Sequence, residues 1–247
     1  MKCKVISIAL IVGFLFIMGC SEDEKCPTSP TNPADQPYNI TIDPADFVDT
    51  ITGNTFMPLV PGTTFFYEGE DEDGISVEVE EYITDSLVII MGVTCIVVEA
   101  TEYEDGELVE DTDDWYAQDL DGNIWYFGEY SEEYEDGQVV STAGSWEAGV
   151  DGALPGIIML ADPIVGLWYR QEYYEEEAED CAQILSMNAS VTVPYGTFDD
   201  CLQTAEWNPL EPGIVEHKFY AADVGLLRAV AVEGESGFED LVDIVTP

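Results

Sequence analysis

Asp73-Gly-Ile-Ser-Val-Glu-Val-Glu80 decides how this chain folds. A turn dipeptide leads into strict alternation, with Ile75, Val77 and Val79 on one face and Ser76, Glu78 and Glu80 on the other. Alternation with period two marks a half-buried strand. Asp-Gly suits tight hairpin turns because both residues tolerate positive φ. Further Asp-Gly pairs stand at 105–106, 121–122, 136–137 and 151–152. Tyr103-Glu-Asp-Gly-Glu-Leu-Val109 and Tyr134-Glu-Asp-Gly-Gln-Val-Val140 reuse one turn chemistry, which is too little for a solenoid.

Working outward, Thr94–Ala100, Trp115–Gln118 and Asn123–Phe127 are rich in β-branched and aromatic residues. The pattern resumes at 168–174, 182–194, 201–207, 214–220, 226–232 and 241–245. No amphipathic helix of ten residues interrupts it after the N-terminal segment. The expected fold is all-β: an antiparallel meander forming a curved half-barrel, a barrel or a sandwich. Gly144–Gly166 is expected to be an irregular segment, as a plug at one end of the sheet or a mobile lid over an apolar cavity. Trp146, Ile157, Ile158 and Met159 are its candidate ligand contacts.

The N-terminus reads as an address. Lys2 and Lys4 precede the apolar run Val5–Met18, which is shorter than the ~20 residues of a spanning helix. It fits the core of a signal peptide over residues 1–19. Gly19-Cys20 resembles a bacterial lipobox, which implies that Cys20 is diacylated and becomes the mature N-terminus. Residues 20–46 are expected to form a Pro-rich acidic tether, of which 21 to about 40 could reach roughly 60 Å, and 47–247 a single acidic domain. The expected location is the bacterial cell envelope, at the outer membrane or cell surface, with lipid on Cys20 holding the chain to the membrane.

The chain has 247 residues, six Lys+Arg, 52 Asp+Glu and a net charge of −46. Such a polyanion is not a partner for nucleic-acid phosphates or anionic headgroups. Residues 1–30 hold three of the bases and three of the acids, so 49 acids face only Arg170, Lys218 and Arg228 in the remainder. At 46% hydrophobic residues this is not a disordered acidic tail.

Phe56-Met-Pro-Leu-Val-Pro-Gly-Thr-Thr-Phe-Phe-Tyr67 and Tyr220-Ala-Ala-Asp-Val-Gly-Leu-Leu-Arg228 resemble paired marks of a family of uncharacterised secreted bacterial lipoproteins. Phe65 and Phe66 stand where Trp is common in that pattern. The resemblance implies a β-rich extracytoplasmic domain whose two segments shape strand entries and face the core. It names no substrate.

Motifs for nucleophilic catalysis, phosphate binding and dinucleotide binding are missing from the sequence. The single His217 excludes two-His zinc sites and reads as a packed, hydrogen-bonded side chain between Val215 and Phe219. Calcium is the candidate cofactor, since hard cations want several oxygens. Asp71 and Asp73 in one acidic turn, and Asp119, Asp121 and Asn123 in another, are its candidate ligands. Weak binding by the whole surface is favoured over one tight site. Among the cysteines, a local Cys181–Cys201 bridge is not expected, because a turn at 194–197 places them roughly 30 Å apart along the strands. Cys95 reads as a buried thiol.

These readings favour a non-catalytic, lipid-anchored extracytoplasmic binding or structural module for a protein, glycan or lipid ligand. A carrier of an apolar or lipid ligand under 144–166 is the alternative. A carboxylate-based glycoside hydrolase is third.

Overall fold

A computed structural model describes Ala34 and residues 36–247. The signal peptide, Cys20, Cys26 and most of the tether lie outside the described residues. Strands β1 (Thr64–Glu70), β2 (Ser76–Ile90), β3 (Val93–Glu104), β4 (Glu107–Gln118) and β5 (Ile124–Glu135) form a meander. Two short pieces, β6 (Gln138–Ser141) and β7 (Trp146–Glu147), pair with β5. Then come β8 (Leu154–Met159), β9 (Trp168–Arg170) and β10 (Glu172–Tyr173). A second meander follows: β11 (Cys181–Val193), β12 (Gly196–Trp207), β13 (Val215–Ala221), β14 (Gly225–Glu233) and β15 (Phe238–Val245).

The strands make one curved antiparallel sheet ordered β10-β8-β5-β4-β3-β2-β1-β15-β14-β13-β12-β11-β9. Its two edge strands belong to one run, Trp168-Tyr-Arg-Gln-Glu-Tyr173. Trp168–Arg170 pairs with Gln183–Cys181, and Glu172–Tyr173 pairs with Pro155–Leu154. Only Gln171 separates the two ladders, so this run brings the sheet edges together. Gly156 permits the approach: a Cβ there would lie 2.4 Å from the Gln171 backbone carbonyl. Of the three architectures expected, the curved half-barrel is found: the sheet is one open path whose ends, β10 and β9, are not hydrogen-bonded to each other.

Turn chemistry explains most connections. Asp105-Gly106, Asp136-Gly137 and Asp151-Gly152 all have both residues at positive φ, the geometry of primed hairpin turns. At 73–74 and 121–122 only the glycine is left-handed. There a carboxylate organises the turn: Asp71 Oδ1 accepts from the amides of Asp73 and Ile75 at 2.9 and 2.7 Å. The β2–β3 turn is Met91-Gly92, with both residues at positive φ, a turn that Met91 does not announce.

Two apolar clusters hold the sheet. Val77, Val79, Ile83, Ile96, Leu202 and Leu241 belong to the larger, in the barrel interior. Val93, Cys95, Phe127 and Trp146 belong to the smaller, against which Ile42 and Phe47 pack. Cys95 and Ile96 fall in different clusters because successive strand residues face opposite ways.

Two expectations are corrected. Gly144–Gly166 is irregular only outside β7 and β8, which join the sheet: Ile157 and Met159 pair with Trp125 and Ile124, and Trp146 with Glu129. Its apolar run is a sheet strand, paired with the first residues of β5 ahead of the register shift around Gly128, which has φ 128°. The last part of the expected tether is also packed before residue 47. The Tyr38 hydroxyl donates to the Pro155 carbonyl at 2.9 Å, and a short 3-10 helix at Pro44–Asp46 leads into the Phe47–Asp119 bridge.

Candidate functional site

The alternation that buries Val77 and Val79 continues through Glu81 and Ile83, and so carries a carboxylate into the barrel. The same parity on β3 places Glu102 with Val98 and Ala100, and on β4 Glu110 and Asp114 with Thr112 and Tyr116. All of these face a cavity of about 200 Å³. Its other walls include Phe56, Pro58, Phe65, Gly225 and Leu226. The two segments read as paired lipoprotein marks therefore meet here. Asp223 donates its amide to the Thr55 carbonyl at 2.7 Å, and Gly225 lies against Pro58.

Register sets the interior acids against one another. Glu102 stands opposite Glu110, Asp114 opposite Glu129, and Glu206 opposite Glu216. Directly opposed residues have Cβ atoms about 4.5–5.5 Å apart, and like charges there are destabilising. The Glu206–Glu216 pair is answered by Lys218, whose Nζ lies 3.1 Å from Glu206 Oε2 and 3.4 Å from Glu216 Oε2. Burial works against that ammonium, but the two carboxylates outweigh it and hold its pKa well above the usual lysine range. Arg228 pairs with Asp240 through two hydrogen bonds of 2.5 and 2.6 Å. Arg170 lies 3.8 Å from Glu179 and over the rings of Tyr38 and Tyr173. All three cations of the body are thereby committed.

The Asp114–Glu129 pair has no such answer. Among the described residues no ion pair reaches it. Its one strong partner is neutral: the Tyr126 hydroxyl donates to Asp114 Oδ1 at 2.5 Å. Burial and the neighbouring Glu81, Glu110 and Asp113 push Asp114 up to about 7, against the Tyr126 bond. Burial, Asp114 and Glu110 hold Glu129 well above the carboxylate range. Beside them Glu172, 2% exposed, has neither carboxylate oxygen in a well-formed hydrogen bond, although Asp180 and the Trp146 ring adjoin it. Burial, Asp180 and Glu129 raise its pKa. Gln171 Nε2 and Glu102 Oε1 are likewise buried without a partner. Burial, then Glu239 and Glu110, push Glu102 up to about 9.

The candidate residues from the sequence are placed differently. Ile158 and Met159 line the cavity, whereas Ile157 packs on the larger cluster and Trp146 sits in the smaller. Asp119 is saturated by protein donors: the Asn123 amide and side chain and Trp125 Nε1, all at 2.8 Å. Asn123 Oδ1 accepts from the Ala161 amide at 2.9 Å. Asp71 is occupied by its turn, while Asp73 and Asp121 lie at exposed tips. Among the described residues no three His, Cys, Asp or Glu side chains converge to hold a metal ion. His217 contacts Gln203 Nε2 at 3.1 Å through Nδ1, and burial lowers its pKa. Cys95, Cys181 and Cys201 are buried free thiols. Glu81, Asp114, Glu129, Glu172 and Lys218 were missed; parity along β2–β4 is the signal that carries the first two inward.

No protein-family model matches the sequence, and no curated protein matches it. Similar solved structures include an inferred lipoprotein of Parabacteroides distasonis ATCC 8503, at 14% identity and TM-score 0.41, with 78% of this chain and 99% of that chain covered. An inferred exported protein with a YmcC-like fold from Bacteroides fragilis NCTC 9343 is also similar, at 14% identity and TM-score 0.44, with 78% and 100% covered.

Proposed function

We propose that this chain is a non-catalytic, lipid-anchored module of the bacterial cell envelope whose barrel interior holds a small ligand. The observation that carries the reading is the cavity itself. It is walled by apolar and tyrosine side chains, and polar atoms of Gln171 and Glu102 face it without partners. Buried polar groups are ordinarily satisfied, so an occupant that satisfies them completes the site. Its volume of about 200 Å³ is below the roughly 300–1,000 Å³ of drug-sized sites. That supports a small ligand over an oligosaccharide flanked by two catalytic carboxyls.

The apolar-ligand alternative draws support from Phe56, Phe65, Ile158 and Leu226 in the same walls. Calcium, if it binds, belongs on this reading to the exposed acidic surface.

Native mass spectrometry of the full chain extracted from a bacterial membrane tests both halves. The expected species begins at an acylated Cys20 and carries a non-covalent small-molecule adduct, and Ile158→Trp, which fills the cavity, removes the adduct. An unacylated chain overturns the anchor. An acylated chain without adduct overturns the binding role.

A further inference from the structure

Resting on the reading of the barrel interior as a ligand site, we infer that its ligand is a small organic cation, an ammonium on an apolar or aromatic body, seated against the Asp114–Glu129 pair with Glu172 on the Glu129 side. The molecule itself contains the precedent. Glu206 and Glu216 oppose each other across β12 and β13, and an ammonium, Lys218 Nζ, bridges them at 3.1 and 3.4 Å. Asp114 and Glu129 oppose each other in the same way across β4 and β5, and no side chain of the described residues supplies the ammonium. One observation independent of the acid count points to an occupant: Gln171 is 3% exposed, lines the same cavity, and presents a side-chain amide nitrogen that no hydrogen bond satisfies.

The walls select the kind of cation. Tyr116 and Tyr126 stack at 5.1 Å and line the cavity, and an electron-rich ring face attracts an ammonium. Apolar surface from Ile158, Met159 and Leu226 suits a hydrocarbon body. A bare metal ion wants several oxygens at once, and no three carboxylates converge closely enough to supply them.

Binding has a proton consequence. Asp114 faces Glu81, Glu110, Asp113 and Tyr126, and Glu129 faces Asp114, Glu110, Asp180 and Tyr126. Glu172 faces Asp180, Glu129 and Trp146. Acids so surrounded retain protons near neutrality, and an arriving cation favours their charged forms. Uptake therefore releases protons, and affinity rises with pH.

The test is isothermal titration calorimetry of the full chain in detergent with three probes of one shape: benzylammonium, benzyl alcohol and benzoate. At pH 8 benzylammonium is expected to bind at least about tenfold tighter than the alcohol, a difference of ~1.4 kcal/mol, and benzoate not at all. Its heat should differ between buffers of low and high ionisation enthalpy by the released protons. Glu129→Gln and Glu172→Gln should each reduce the preference about tenfold, while Glu68→Gln, on an exposed position, leaves it unchanged. Replacing a buried acid by its amide removes a desolvation cost, so both variants are expected to fold. Equal affinity for ammonium and alcohol overturns the cation but leaves the ligand site standing. Binding of none of the three overturns both.

Discussion

Two carboxylate pairs of the same kind sit on the inner wall of one barrel and meet different fates. Glu206 and Glu216 share Lys218; Asp114 and Glu129 share a tyrosine hydroxyl and one another's field. Both are cross-strand neighbours, although Glu216 keeps 36% of its side chain exposed while Asp114 and Glu129 line the cavity. What separates them is a single ammonium. On the β12–β13 wall charge is neutralised by the chain; on the β4–β5 wall it is suppressed by keeping protons. The first arrangement is finished, and the second waits for a cation.

The largest expected effect comes from abolishing the difference. Lys218→Met leaves the buried Glu206 uncompensated beside a partly exposed Glu216; breaking a fully buried pair costs roughly 3–5 kcal/mol, and solvent at Glu216 reduces that to about 2–3 kcal/mol. Urea unfolding at pH 8 should show that loss, and should show it shrink at lower pH as Glu216, whose pKa burial already raises, takes up its proton. A loss below about 1 kcal/mol at pH 8 would mean that the two walls are electrostatically alike.

A second prediction uses pH alone. The unanswered acids have folded pKa values above their unfolded ones: Asp114 about 7, Glu239 about 8 and Glu102 about 9. The folded state then holds more protons than the unfolded state between the ordinary carboxylate range and these values. Stability is full below about pH 4 for these groups and is lost as pH rises through 7 to 9. The melting temperature should therefore be several degrees higher at pH 6 than at pH 9. Glu102→Gln should flatten part of that slope. A melting temperature constant or rising over this interval would break the comparison from the other side.

The smallest expected effect belongs to the exterior. Exposed acids such as Asp73, Glu78 and Asp121 repel one another through solvent, where salt screens them. Either 0.5 M NaCl or millimolar Ca²⁺ should raise the melting temperature by a few degrees, and should do so in Glu102→Gln as much as in the wild-type chain. Unchanged melting in both salts would refute the self-repulsion argument.

The fold was legible from Ile75–Glu80 and the Asp-Gly turns because one-sided burial imposes period two, and because left-handed turn residues are few in kind. The site was less so. Parity places Glu81 beside Val79, yet a carboxylate next in line reads equally as the point where a strand leaves the core. Only the curvature of the sheet decides between them. The bulge at Gly128 shifts β5 and brings Glu129 inward beside Tyr126, against simple alternation from Ile124. Closure through Trp168–Tyr173 was hidden for a similar reason: its two ladders run to different partners on either side of Gln171. Several of the acids counted in the formal net charge of −46 lie inside the sheet, where burial raises their pKa values.

The pairing of β1 with β15 has a kinetic consequence. Around the ring most sheet neighbours are joined by nearby chain, many through hairpin turns. Thr64 pairs with Val245, from opposite ends of the strand succession. Closing so long a loop carries the largest entropic cost of any pairing in the sheet, and non-local pairings of this kind slow folding. The β1–β15 seam is thus expected to zip last. Until it does, the interior acids face open water, where they ionise freely, so completing the barrel is itself a proton-binding step.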